Sequence, residues 1–137
     1  MRTINENNRT IKVSKEQTEY RNELALLERE VAFFEGALND LKQHTIGDAA
    51  KGLKVAKFVS ETHHYKRVIE RITNELNQIH HEMAEEVIEE AKIDGESYKD
   101  HQYFRKEMED LRTDYKEYKY SLRTFVASFE HLTNIEI

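Results

Sequence analysis

Apolar residues recur at alternating spacings of three and four through three long stretches of this chain, and no proline interrupts any of them. The first stretch holds Tyr20, Leu24, Leu27, Val31, Phe34, Leu38 and Leu41. The second holds Val55, Phe58, Thr62, Tyr65, Ile69, Ile72, Leu76, Ile79 and Met83. The third runs from His101 through Phe104, Met108, Leu111, Tyr115, Tyr118, Leu122, Phe125 and Phe129 to Leu132. Such spacing puts every member of a series on one side of an α-helix, in the heptad pattern of a coiled-coil-like seam. An all-β or multi-crossover α/β fold is excluded on the same grounds. An average chain of 137 residues would carry roughly seven Pro and about ten Gly; this one has no Pro and 4 Gly, so the punctuation of strands and turns is missing.

Local signals set the expected ends. Ser14, with Gln17 three residues on, reads as a capping box, and Gly47 follows the first stretch. Asp48 and Ser97 read as N-caps for the second and third helices. Beyond Met83 the strict heptad meets Glu86 and Glu90, and the apolar residues move to Val87, Ile88 and Ala91. The expected helices are therefore about 14–43, 50–92 and 97–132, in one bundle domain spanning 14–132. Each would be about 45–55 Å long. Short connections make neighbours antiparallel, which predicts an up-down-up, all-α bundle of three helices. The tails, 1–13 and 133–137, are expected to be extended, frayed or laid along the bundle. Within them Thr10–Val13 and Asn134–Ile137 alternate apolar and polar, as short strands do.

Charge placement agrees with that topology. The acidic run Glu82, Glu85, Glu86, Glu89 and Glu90 would lie beside Lys12, Lys15, Arg21, Lys99, Arg105 and Lys106. At the other end Lys51, Lys54 and Lys57 would lie beside Glu35, Asp40, Glu130 and Glu136. Exposed pairs of this kind add little energy but select register and direction.

Composition narrows function more than it names it. With no Cys, thiolate metal sites, disulfides and cysteine nucleophiles are excluded. No Gly-rich phosphate loop, Gly-x-Ser-x-Gly or His-Glu-x-x-His motif occurs, so no cofactor and no catalytic constellation is expected. The N-terminal segment lacks an apolar core of signal-peptide length and no apolar run is long enough to span a bilayer, so a cytoplasmic location without membrane insertion is expected. Three lysines, Lys51, Lys54 and Lys57, could contact phosphate, but the formal net charge of −6 argues against a nucleic-acid partner.

Two constellations remain. A ferritin-like metal site is one. Its candidate ligands are His101, which occupies a seam position, with Glu86 or Glu90, and more remotely Glu61 with His64. The paired inward Glu-x-x-His motifs that such bundles use are missing. The other is a contact surface. Leu26 and Phe33 lie one heptad apart beside the first seam, with Ala37 flanking, and Tyr103 and Tyr120 lie outside the third seam. Large apolar residues in line on a helix suggest a partner's helix or a second copy, including an antiparallel homodimer. The leading expectation is a non-enzymatic interaction, scaffold or adaptor protein acting by helix-to-helix recognition.

Overall fold

A computed structural model describes residues 3–90 and 95–136, with side chains described for 9–87 and 95–129. Among the described residues the chain is a three-helix bundle without strands: α1 Thr3–Gln43, α2 Ala49–Glu90 and α3 Gly95–Glu136. At 41, 42 and 42 residues, each helix is about 60 Å long.

The buried residues keep the spacing of the sequence. α1 buries Tyr20, Leu24, Val31, Phe34, Leu38 and Leu41, with Leu27 packed against them. α2 buries Val55, Phe58, Thr62, Ile69, Ile72, Leu76 and Met83. α3 buries His101, Phe104, Met108, Leu111, Tyr115, Tyr118, Leu122 and Phe129. Each fully buried large side chain contributes about 1.5–3 kcal/mol relative to exposure. That gain, repeated along three helices, sustains the bundle.

The expected start of the first helix is wrong by eleven residues. Ser14 is not an N-cap: α1 begins at Thr3, and the Ser14 carbonyl accepts a hydrogen bond from the Thr18 hydroxyl inside the helix. Gln17 is buried rather than capping, and its Nε2 donates to the Met83 Sδ at 3.1 Å. The reason is burial beyond the first seam. Val13 lies in a small cluster with Met83, packed by Ile79, Val87 and Tyr98, and that contact carries the helix through Thr10–Val13. No Gly or Pro in 3–13 opposes it. The strand-like reading of both tails is corrected likewise, since Asn134–Glu136 belong to α3 and Ile137 lies outside the described residues. α2 is described to Glu90; the expected end near Lys92 lies outside the described residues.

The α1–α2 turn follows its sequence closely. The Thr45 hydroxyl donates to the Lys42 carbonyl at 2.8 Å, and Gly47 takes a left-handed φ of 91° that a side chain would strain. Asp48 then caps α2, its Oδ1 accepting from the Lys51 amide at 3.1 Å. Ser97, expected to cap the third helix, lies inside α3 and donates its hydroxyl hydrogen to the Glu86 carboxylate of α2.

Contacts between helices follow regular numbering. From α1 to α2, Gln17 meets Met83, Arg21 meets Asn77 at 3.1 Å, and Glu35 meets Lys66 at 3.4 Å. Partner numbers in α2 thus fall as those in α1 rise. The α2–α3 pairs behave the same way: Thr62 with Tyr118, Arg71 with Glu107, Glu86 with Ser97. Between α1 and α3 the numbers rise together. Arg9, Glu16, Glu23 and Glu30 meet Tyr98, Arg105, Arg112 and Lys119. These last four contacts repeat every seven residues.

Candidate functional site

Helix faces turned away from the core expose several large apolar side chains. Leu26 is 50% exposed, Phe33 73%, Tyr103 70% and Tyr120 73%, whereas Ala37 is half-buried. Leu26 and Phe33 share the outer side of α1, because seven residues bring a helix back to nearly the same angle. Phe33 rests edge-on against Phe34, ring centroids 6.1 Å apart, and rims a shallow groove of about 390 Å³ with Arg29, Glu30, Lys119 and Arg123. Tyr103 and Tyr120 are not brought together, being about 25 Å apart along α3. Tyr103 lies instead in a groove of about 680 Å³ between α2 and α3, lined by Arg71, Glu75, Glu82, Asp100 and Glu107. Ile11, Ile46 and Leu53 are also exposed; periodicity alone did not single them out because each stands apart from an apolar stripe.

His101 is fully buried, and its carboxylate partner differs from the expected one. Its Nε2 lies 3.2 Å from Oε2 of Glu16 on α1, not against Glu86. Glu86 engages Ser97, and the Glu90 side chain lies outside the described residues. The same Glu16 carboxylate takes hydrogen bonds from Arg105 Nε at 3.1 Å and Nη2 at 2.9 Å. The Tyr20 ring packs beside His101, centroids 6.2 Å apart. His101 Nδ1 has no hydrogen-bond partner among the described residues. Burial pushes the His101 pKa down against the pull of Glu16. Burial raises that of Glu16, but the hydrogen bonds from Arg105 and His101 outweigh it and hold the carboxyl below its ordinary value. Histidine at this seam position thus serves as a polar core element tied to a neighbouring helix.

The remaining histidines are dispersed. His80 Nδ1 contacts Gln17 Oε1 at 2.8 Å, His81 Nε2 contacts Glu85 at 3.1 Å, and the His64 ring stands against Tyr65. Glu61, the other half of the Glu-x-x-His match, pairs with Lys57 at 4.0 Å. No group of three or more His, Asp or Glu that could hold a metal ion occurs among the described residues. The three lysines do not form the expected links to α1. Lys51 pairs with Asp48 at 3.9 Å and stands over the Phe129 ring, Lys57 pairs with Glu61, and Lys54 is exposed. Glu35 takes Lys66 instead.

Two electrostatic features escaped sequence reading. Glu16, Glu23 and Glu30 form a ladder with Arg105, Arg112 and Lys119, whose rungs close to 2.9, 2.7 and 2.8 Å. The seven-residue repeat of acids in α1 and bases in α3 was the available signal. On the other side of α3, Glu107 lies beside Glu75; burial and then that neighbour push its pKa up, and Arg71 opposes them. Arg71 reaches both carboxylates, at 2.7 and 3.3 Å.

No helix among the described residues is long and apolar enough to cross a membrane. No family model, curated protein or solved structure matches the chain.

Proposed function

We propose that the chain is a non-enzymatic interaction or scaffold protein that recognises other helices through the outer faces of an up-down-up bundle with heptad seams. The falling partner numbers along α1–α2 and α2–α3, and the rising ones along α1–α3, support that arrangement. The observation that carries the functional reading is the exposure of Leu26 and Phe33, in line on a helix whose other large apolar residues largely face the core. Exposed apolar area in line provides the attraction, and flanking charges set orientation.

The test is a Leu26→Ser, Phe33→Ser double variant. Helix content and melting temperature should stay at wild-type values, because surface substitutions change stability by only about 0.5 kcal/mol each. Assembly with a partner helix or a second copy should be lost. A bundle that melts early while assembly persists would assign both residues to the core and end this reading.

A further inference from the structure

The outer side of α1 carries a second series with seam-like spacing. Leu26, Arg29, Phe33, Gly36, Asp40 and Gln43 follow one another at three and four residues, and all are exposed. Ala25 and Ala32 flank them and are exposed too. Small flanks let another backbone come close.

Gly36 is the informative member. Glycine in a helix interior weakens the helix relative to alanine. Nothing within the chain asks for it. Among the described glycines only Gly47 has a left-handed φ, and a side chain placed on Gly36 would meet no atom within 4 Å. The hollow it leaves lies one turn from Phe33, the most exposed large apolar side chain among the described residues of α1. A knob and a hollow side by side on one helix are what a two-fold contact requires, since each copy must supply both halves.

Resting on the interaction reading above, we propose that this face binds a second copy of the chain with the two α1 helices antiparallel. In that register Phe33 of each copy covers Gly36 of the other, Arg29 faces Asp40, and Leu26 lies over Gln43. Charge selects the direction. A parallel, in-register pair would set Arg29 against Arg29 and Asp40 against Asp40. The antiparallel pair joins opposite charges and does so twice. Among the described residues neither Arg29 nor Asp40 has an ion pair within the chain. The exposed tyrosines of α3 offer no equivalent self-complementary face. Tyr103 sits among Asp100, Lys106 and Glu107, and Tyr120 among Lys116, Glu117 and Arg123; no glycine is in line with either, and Tyr120 has only Ala127 seven residues on.

The experiment is sedimentation velocity on the full, untagged chain from low micromolar to near-millimolar concentration, with thermal melting of every variant. The wild type should shift from monomer to dimer across that range. Gly36→Leu should melt no lower than wild type yet weaken dimerisation about tenfold or more, because the hollow is filled. Arg29→Asp and Asp40→Arg should each weaken it, and the double exchange should restore it. A wild type that stays monomeric overturns the second copy as occupant; the wider interaction reading then stands or falls on the Leu26→Ser, Phe33→Ser variant with a foreign helix. A dimer indifferent to Gly36→Leu and to both charge reversals overturns the register and moves self-association to another face.

Discussion

The two flanks of α3 are built on opposite electrostatics. Toward α1, three basic side chains meet three acidic ones at a fixed offset, heptad after heptad. Toward α2, Glu107 meets Glu75 while Asp100 and Glu82 line the same groove, and Arg71 bridges only the first pair. The apolar core is shared, so the difference lies at the edges. The ladder selects a neighbour and a register, because shifting α3 by one heptad would set the Arg105-bearing turn against Glu23 or Arg9 and strand an end rung. The acidic flank does no such selecting. The α2 side of α3 is held by packing further along the two helices: Phe58 stacked on Phe125 at 5.1 Å, the Tyr65 and Tyr118 ring centroids 4.7 Å apart, and the buried Thr62 hydroxyl bonded to the Tyr118 hydroxyl. Burial pushes the Tyr118 pKa up to about 12, so this contact stays neutral through the physiological range.

Cutting the apolar support should produce the largest effect. Phe58→Ala should cost about 3–5 kcal/mol in chemical denaturation. A loss below 1 kcal/mol would mean that charge, not packing, holds the α2 flank as well.

Next comes the buried rung of the ladder. Glu16→Ala leaves Arg105 and the fully buried His101 without their carboxylate and should cost about 1–3 kcal/mol. Arg112→Ala, at a rung where the basic side chain is half exposed, should cost no more than about 1 kcal/mol. Equal losses at the two positions would contradict the assigned difference in burial.

Acid titration sharpens the comparison, since the two flanks respond with opposite sign. Glu16 has a lowered folded pKa, so its contribution is full above the ordinary glutamate value of 4.5 and is lost as pH falls through the folded value. The His101 pKa is also lowered, so its stabilising share starts to decline as pH falls below the ordinary 6.5. Glu107 has a raised folded pKa, so its stabilising share is full at low pH and is lost as pH rises through that value. Glu107→Gln should therefore stabilise the protein at neutral pH by a few tenths to about 1 kcal/mol, with the gain vanishing below pH 4.5. Melting curves of wild type, Glu16→Gln and Glu107→Gln across the acid range separate these effects. Parallel curves for the two variants would sink the contrast.

The helices and most of their cores were legible because burial and periodicity are the same fact seen twice. Leu24, Ile72 and Met108 were placed by spacing and lie buried. Caps were legible only where nothing nonlocal competed. Asp48 caps α2, but Ser14 and Ser97 have the same local credentials and lie inside helices, the former because Val13 and Gln17 bury against α2. The ladder stayed hidden because seam spacing says which residues face inward and not which helix lies on which edge. Arg105 was therefore expected against the α2 acidic run, and only the packed bundle turns it to Glu16. His101 was recognised as an unusual seam residue, yet its partner depended on the same choice. The outer stripe of α1 was half visible: Leu26 and Phe33 announce themselves by size, whereas Gly36 gains meaning only once the space around it is known to be open.

Native mass spectrometry of the untagged chain, purified without chelator, tests the central claim most directly, because one spectrum reports stoichiometry and bound mass together. At concentrations where the chain sediments as a dimer, the account predicts a mass twice that of the chain with nothing added. A monomer carrying a metal ion at fixed stoichiometry would contradict it and make the bundle a binding site for that ion rather than for another helix.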